Sequence, residues 1–569
     1  MNRFLNKSTN KSKSTSTNST QSTLLNDTND KNTYFGNRGY TLLKAELSAI
    51  ELKTIKKDLT IMPFSLQQMA NPMMNKKKYM AYRESETKLF VPLYYGLNKF
   101  GPFRENKRKI PVYTNLEFKG ELRGQQQTAV NSYFATLKDW GGGGLFDIPC
   151  GKGKTVMALY VIATIMSNIN FEKMKNTLNK SSTKTIIFIH KEYLINQWIE
   201  RIEQYIPGAR IGIIKGSEFN ITNCDIVFAS IQTIMNHEYD VNAFESFGLS
   251  IYDEAHHISS ECFSKVLFKV VTPFTLGLSA TWEREDKTQH VIEYVLGKIC
   301  YKWLNTDIYD VEVRNYLFEA PGDAEYNKII YGYQDKPQYS SMITKISEYE
   351  PRIEYIMTLL KITLASSDNQ QVIMFGERRS LLDTLYDRIV AENMGTVGKY
   401  MGKIKQSDLK KCESNKIILA TYTMAAEGLD IKTLTTLFIL TPKKKIEQTI
   451  GRILRTKDTN PLVIDIIDTH TLFVNQWKTR IRYYKSKNYL VKKFVSTNED
   501  NGNATLNDDA NDDTKWKFIH IPKPVVIEEN NKNCSNNKNN NSNKNNNSNK
   551  NNNNGNNTEN ACCLIMDDD

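Results

Sequence analysis

No stretch of this 569-residue chain approaches the roughly 20 consecutive apolar residues that a membrane-spanning helix needs. Its first residues, Met1, Asn2 and Arg3 followed by Ser, Thr and Asn, lack the apolar core of a secretory leader. Cysteine is sparse: Cys150, Cys224, Cys262, Cys300, Cys412, Cys534, Cys562 and Cys563 include no C-x-x-C pair, so neither a zinc site nor a disulfide framework is indicated. Cys562 and Cys563 are followed by Asp567, Asp568 and Asp569, which is not a prenylation box. These absences imply a reducing, intracellular setting (nucleus or cytoplasm) and a soluble or peripheral protein with no membrane partner. Acidic residues are also in deficit, 63 Asp and Glu against 75 Lys and Arg, a formal charge of +12. That excess suits a polyanionic partner, and serves solubility equally well.

The chain divides by composition. Residues 1–38 are rich in Ser, Thr, Asn and Lys and are expected to be disordered. Residues 39–118 mix aromatic and basic residues, as in Phe90-Val-Pro-Leu-Tyr-Tyr95 and Phe100-Gly-Pro-Phe103, and suggest a small accessory region. Over 119–310, apolar runs such as Thr185-Ile-Ile-Phe-Ile-His190, Ile226-Val-Phe-Ala229, Leu249-Ser-Ile-Tyr252 and Leu276-Gly-Leu-Ser279 alternate with helical patterns at 155–166 and 193–205. A second set follows over 311–497: Val372-Ile-Met-Phe375, Ile417-Ile-Leu-Ala420, Leu437-Phe-Ile-Leu440 and Leu462-Val-Ile-Asp-Ile466, with helical segments at 378–390 and 445–454. Buried strands alternating with helices predict two α/β lobes, each a parallel sheet flanked by helices. Residues 498–569 run acidic, then Asn- and Lys-rich, and are expected to be mostly disordered, with Trp516-Lys-Phe-Ile-His-Ile-Pro522 able to form a strand.

The most informative segment is Gly144-Leu-Phe-Asp-Ile-Pro-Cys-Gly-Lys-Gly-Lys-Thr155. A strand, a glycine-containing turn and a helix-compatible run form the context of a phosphate loop, in which backbone N–H groups and a helix N-terminus favour anions. Lys154 is placed for the β- and γ-phosphates and the Thr155 hydroxyl for Mg²⁺, although Ile148 stands where the strict pattern has glycine. About a hundred residues on, an apolar strand ends in Asp253-Glu-Ala-His-His257. Acids at the carboxyl end of a parallel strand face the ligand crevice. Asp253 is a candidate Mg²⁺ ligand and Glu254 a candidate base for the attacking water. Taken singly, each feature also fits a solvated turn.

Pro149-Cys-Gly-Lys-Gly-Lys-Thr155, Asp253-Glu-Ala-His256, Ser279-Ala-Thr281 and Gln448-Thr-Ile-Gly-Arg-Ile-Leu-Arg455 resemble, in order, motifs I, II, III and VI of the superfamily 2 helicases. In that superfamily a proline-led loop replaces the first glycine, which accounts for Ile148. The resemblance covers roughly 120–490 and implies two tandem RecA-like lobes. Leu122-Arg-Gly-Gln-Gln126, the P-C-G form of the loop, His256-His257 and Arg284-Glu-Asp286 resemble the XPB-like group, which includes transcription and repair helicases and a poxvirus transcript-release helicase. Asn- and Lys-rich tails fit an AT-rich genome such as that of a large DNA virus, with a virion or viral factory as location.

The resemblance implies ATP and Mg²⁺ as cofactors and roles for named residues. Gln126 would read the adenine, with its register among Gln125 and Gln127 open by one. Ile148, Pro149, Cys150, Gly151, Lys152, Gly153, Lys154, Thr155 and Asp430 would line the nucleotide; Thr155 and Asp253 would hold the metal. Glu254 and Lys154 would act in catalysis with Arg452 and Arg455, arginine fingers from the second lobe. His256, Ser279, Thr281 and Gln448 would couple nucleotide to nucleic acid. Arg284, Glu285, Asp286, Arg378 and Thr421 would meet the DNA or RNA, mainly at phosphates, although Arg378 fits a plain helix start as well. Transcription machinery is the candidate protein partner, and 3′-to-5′ travel is implied by the group alone. A duplex translocase without strand separation and a non-hydrolysing binding factor are the rival readings.

Overall fold

The computed structural model describes residues 31–64, 78–108, 116–137, 141–149, 151–166, 184–257, 260–280, 282, 286–303, 310–367, 370–402, 404, 406–424, 431–451, 461–495 and 515–522.

The first lobe is built on an eight-stranded sheet in the spatial order Glu218–Phe219, Ile211–Lys215, Ile226–Ser230, Lys184–Ile189, Phe247–Tyr252, Phe274–Ser279, Gly142–Asp147 and Ile299–Lys302. Every neighbouring pair is parallel except the first, an antiparallel edge hairpin. Strands covered on both faces read as unbroken apolar runs, because helices pack on either side. Phe247–Tyr252 and Phe274–Ser279 are buried along their whole length, and the Lys154–Met166 and Tyr193–Tyr205 helices cover one face.

The Gly141–Gly144 run has a packing reason. A Cβ at Gly143 would lie 2.1 Å from both the Tyr94 hydroxyl and Thr275 Oγ1. Tyr94 belongs to the accessory helix Leu93–Phe100, and its hydroxyl is 3.2 Å from Thr275 Oγ1, so only glycine lets that helix reach the sheet. The accessory region is itself a five-stranded sheet with the helices Ala49–Asp58 and Leu93–Phe100. Arg108 fixes its far end: the buried guanidinium donates to the carbonyls of Val271, Glu245 and Phe247. Burial there holds its pKa down to about 10.

The second lobe repeats the plan: Val397–Tyr400, Ile417–Thr421, Val372–Gly376, Thr436–Ile439, Leu462–Asp468, Glu312–Phe318, Leu490–Phe494 and Trp516–His520. All neighbours are parallel except the last pair. Trp516 packs edge-on against Tyr316 and Phe494, so the strand foreseen in the carboxyl tail docks on this lobe. One boundary needs correction. The expected disordered segment 1–38 includes the strand Tyr34–Gly36, which pairs with Gly39–Leu43, because Phe35 is fully buried in the accessory core.

Among the described residues of this lobe, two ion pairs are fully buried. Arg480 forks onto both oxygens of Asp465 at 2.8 Å, with Tyr484 Oη donating to the same carboxylate at 2.9 Å. Arg352 donates to Asp468, at 2.6 and 3.0 Å, and to the Leu440 carbonyl. Removing one partner of a buried pair strands the other charge, at a cost of about 3–5 kcal/mol. Arg480→Met is therefore expected to lower the unfolding free energy by about that much in urea titration, and Arg480→Met with Asp465→Leu to recover most of it. Equal loss in the double variant would show that packing, and not the isolated carboxylate, sets the cost.

Candidate nucleotide and nucleic-acid site

Three neighbouring strands of the first sheet aim the predicted residues at one place. Gly142–Asp147 leads into the phosphate loop, Phe247–Tyr252 ends at Asp253, and Phe274–Ser279 lies between them and ends at Ser279. The Lys154–Met166 helix starts at Lys154, with Met157 N–H bonded to Gly153 O at 3.1 Å. Gly151 and Gly153 take φ of 78° and 84°, where a side chain would be strained. A Cβ at Gly153 would also come within 2.4 Å of Gln126 Nε2.

Lys154 Nζ lies 3.2 Å from Glu254 Oε1, joining residues 100 apart in sequence. The other Glu254 oxygen is 3.3 Å from His256 Nδ1, which is 3.0 Å from Ser279 Oγ. Ser279 is fully buried, and its carbonyl accepts from Ile148 N–H at 2.8 Å. A polar chain thus runs from the phosphate loop through both acids' turn to the third motif. Glu254 itself sits at φ 47°, a left-handed backbone unusual for a glutamate and of the kind that gathers at functional sites.

Asp253 is buried, and its pKa is pushed up to about 6 by that burial and by the neighbouring Glu254, with Trp198, Lys154 and His190 opposing. An acid so placed favours a nearby cation. Thr155, in the first turn of the loop helix, adds a hydroxyl, so the donors are hard oxygens that suit Mg²⁺. Among the described residues no cluster of three or more His, Cys, Asp or Glu could cage a metal alone.

Of the three glutamines in that register, Gln126 is the buried one beside the phosphate loop. Its Nε2 donates to Lys152 O at 2.9 Å and its Oε1 accepts from Arg123 N–H at 3.0 Å, while Gln127 turns to Asn131 on the surface. Ile148 is a correction: its side chain is in the core and its N–H is spent on Ser279, so it supports the loop and offers no amide to a phosphate. Cys150, Thr281, Arg284, Glu285, Asp430, Arg452 and Arg455 lie outside the described residues, and Gln448 is placed only by its backbone, in the helix Glu447–Ile450.

The nucleic-acid candidates divide. Thr421 ends its strand, and two further polar residues, Lys191 and Ser230, stand at or just past carboxyl strand ends of the first sheet; Lys191 Nζ donates to Thr423 O at 3.3 Å, so the carboxyl sides of the two sheets come into contact there. Arg378 is otherwise engaged: its guanidinium bonds Thr344 Oγ1 at 2.9 Å and Ser340 O at 2.7 Å, which ties two helix starts together. Asp286 Oδ1 accepts from the N–H and hydroxyl of Thr288, just before the next helix, and its carbonyl accepts from Phe64 N–H of the accessory region. Trp198 went unforeseen. Its indole donates to Asp253 Oδ2 at 2.8 Å, but in sequence it reads as one more apolar position of an amphipathic helix.

Residues 119–284 match the family model of the type III restriction enzyme res subunit, and residues 352–457 that of the helicase conserved C-terminal domain. A protein of Acanthamoeba polyphaga mimivirus, named as a putative ATP-dependent RNA helicase, is 30% identical over 480 residues, covering 83% of this chain and 88% of its own length. The chain belongs to the superfamily 2 helicases. As a member it is an ATP-dependent enzyme that acts on nucleic acid as a helicase or translocase. An African swine fever virus protein of the same printed description is 26% identical over 369 residues, 60% of this chain and 68% of that one. A protein of invertebrate iridescent virus 6, named as a putative helicase, is 24% identical over 405 residues, 68% and 86% of the two chains. Its relatives thus include proteins of several large DNA viruses. S. cerevisiae Dbp5 bound to RNA and ADP BeF3 aligns with 64% of this helicase and 89% of its own chain, at 14% identity and a TM-score of 0.43. Among the described residues of the helicase, no helix is long and apolar enough to cross a membrane.

Proposed function

We propose that this helicase binds Mg²⁺ and ATP on its first lobe and uses turnover to step along a single strand of nucleic acid, with RNA as the first candidate. The observation that carries the reading is the meeting of Lys154 and Glu254 at 3.2 Å beside the buried Asp253. An ammonium, a candidate base and a metal-seeking carboxylate converge where phosphates would enter. Lys154 exchanges its carboxylate partner for phosphate oxygens, which frees Glu254 to take a proton from water. Thr155 and Asp253 hold Mg²⁺, which supplies positive charge against the phosphates. Gln126 sits over the loop for the adenine edge, and Arg452 and Arg455 complete the charge from the second lobe. His256 and Ser279 pass the state of Glu254 to the third motif.

Lys191, Ser230 and Thr421, along the joined carboxyl edges, suit a phosphate backbone gripped without sequence choice. RNA is favoured by the printed names of the mimivirus and swine fever virus relatives. The XPB-like details, Leu122 to Gln126 and His256-His257, support 3′-to-5′ travel. The deciding experiment measures ATP turnover alone and with single- or double-stranded RNA or DNA, then strand displacement from 3′ and 5′ tails. Stimulation by single-stranded RNA that fades with added salt, with displacement from 3′ tails, is expected. Stimulation by duplex alone, with no displacement, would favour the duplex translocase instead.

A further inference from the structure

We infer that Trp198 is a positioning residue for the metal site: its indole N–H sets the rotation of the Asp253 carboxylate and thereby its fitness to hold Mg²⁺. This rests on the Mg²⁺–ATP reading above and adds a residue that the motifs do not name.

Trp198 sits in the middle of the Tyr193–Tyr205 helix, which follows the strand Lys184–Ile189. That strand is the direct neighbour of Phe247–Tyr252, and Asp253 N–H continues the pairing to Phe188 O at 3.1 Å. The helix therefore passes beneath the end of the strand that carries the acids. Trp198 is 2% exposed, with Phe228 edge-on at 6.4 Å between ring centres, so its ring has little freedom to turn. Its N–H reaches Asp253 Oδ2 at 2.8 Å. The second oxygen, Oδ1, accepts from Glu254 N–H at 3.0 Å.

An indole nitrogen is a donor and never an acceptor. It can satisfy only an oxygen that presents a lone pair, so one lone pair of Oδ2 is held toward the indole while the others stay available. With one donor on each oxygen the plane of the carboxylate is fixed, and the remaining lone pairs keep one direction. Groups that orient a metal ligand in this way typically change metal affinity about 10–100-fold when lost. Apolar packing alone would be served equally by phenylalanine or leucine at this position; the hydrogen bond needs the nitrogen.

The test compares the full-length wild type, Trp198→Phe and a chain carrying 3-benzothienylalanine at position 198, which keeps the ring shape and replaces N–H by sulfur. Phe228→Leu serves as a packing control, since it loosens the Trp198 ring without touching Asp253. The readout is binding of fluorescent mant-ADP with Mg²⁺ and with EDTA. Both Trp198 variants are expected to bind mant-ADP in EDTA as the wild type does, while the gain in affinity given by Mg²⁺ shrinks about 10-fold and the Mg²⁺ concentration at half-maximal binding rises about as much. Phe228→Leu is expected to lower Tm and leave the Mg²⁺ response unchanged. A benzothienyl chain with the wild-type Mg²⁺ response would overturn the role of Trp198, and so would a Phe228→Leu response matching that of the benzothienyl chain. A wild type whose mant-ADP affinity ignores Mg²⁺ would instead overturn the assignment of Asp253 itself.

Discussion

Glu254→Gln is expected to lower ATP turnover about 10³-fold while leaving ATP affinity within a few fold of the wild type, as general-base loss does when the shape of the site survives. Glutamine is isosteric and can keep the contacts of both side-chain oxygens, with Lys154 at 3.2 Å and with His256 at 3.3 Å. It cannot accept a proton from water. It also carries no charge to repel a phosphate, so nucleotide binding has no reason to weaken. Lys154→Ala should differ, losing affinity and turnover together, because the ammonium contacts phosphate both before and during transfer. A coupled ATPase assay beside mant-ATP titration separates the two patterns. Turnover by Glu254→Gln within tenfold of the wild type would remove Glu254 as the base, and wild-type affinity in Lys154→Ala would move the phosphate site elsewhere.

The left-handed backbone at Glu254 bears on the same result. A φ of 47° turns the residue after the strand sharply, so that Asp253 points into the buried pocket beside Trp198 while Glu254 points toward Lys154. Two adjacent acids thereby take separate partners. Held in one extended strand they would face opposite sides of the sheet and could not share a site.

The turn and helix start of the candidate phosphate site were legible in the sequence because such a loop constrains consecutive residues: glycines where the backbone turns, then lysine and threonine where the helix begins. The strands were legible because a sheet covered on both faces demands unbroken apolar runs. What was not legible depends on contacts between distant elements. Trp198 is 55 residues from Asp253, and in its own helix it is one apolar position among several. Arg480 sits in a polar helix that reads as solvent-facing, yet Asp465 in the middle of Leu462-Val-Ile-Asp-Ile466 was a usable clue, since a charge within a buried strand requires a partner. Tyr34 and Phe35 were hidden by the Ser, Thr and Asn around them, which a compositional window averages away.

Arg452→Ala and Arg455→Ala are each expected to reduce turnover about 10³-fold or more, the range set by loss of an arginine that neutralises charge on a transferring phosphoryl group. Nucleotide binding should survive both, because Gln126, Lys154, Thr155 and Asp253, the described residues proposed to meet the nucleotide and its metal, all belong to the first lobe. The second lobe offers a suitable mount just before these arginines: Ile446 and Ile450 are buried, and Gly451 remains helical with its N–H on Glu447 O at 3.0 Å. That turn follows the strand Thr436–Ile439 at the carboxyl side of its sheet, the side that Thr423 presents to Lys191 of the first lobe. With transfer chemistry split in this way across two lobes, hydrolysis would depend on their approach. A strand of nucleic acid lying over both edges would favour that approach, so stimulation by nucleic acid should vanish in the same variants that lose turnover. If both arginine variants hydrolyse ATP at the wild-type rate and still respond to nucleic acid, the first lobe is a self-sufficient ATPase and the second has some task other than completing its site.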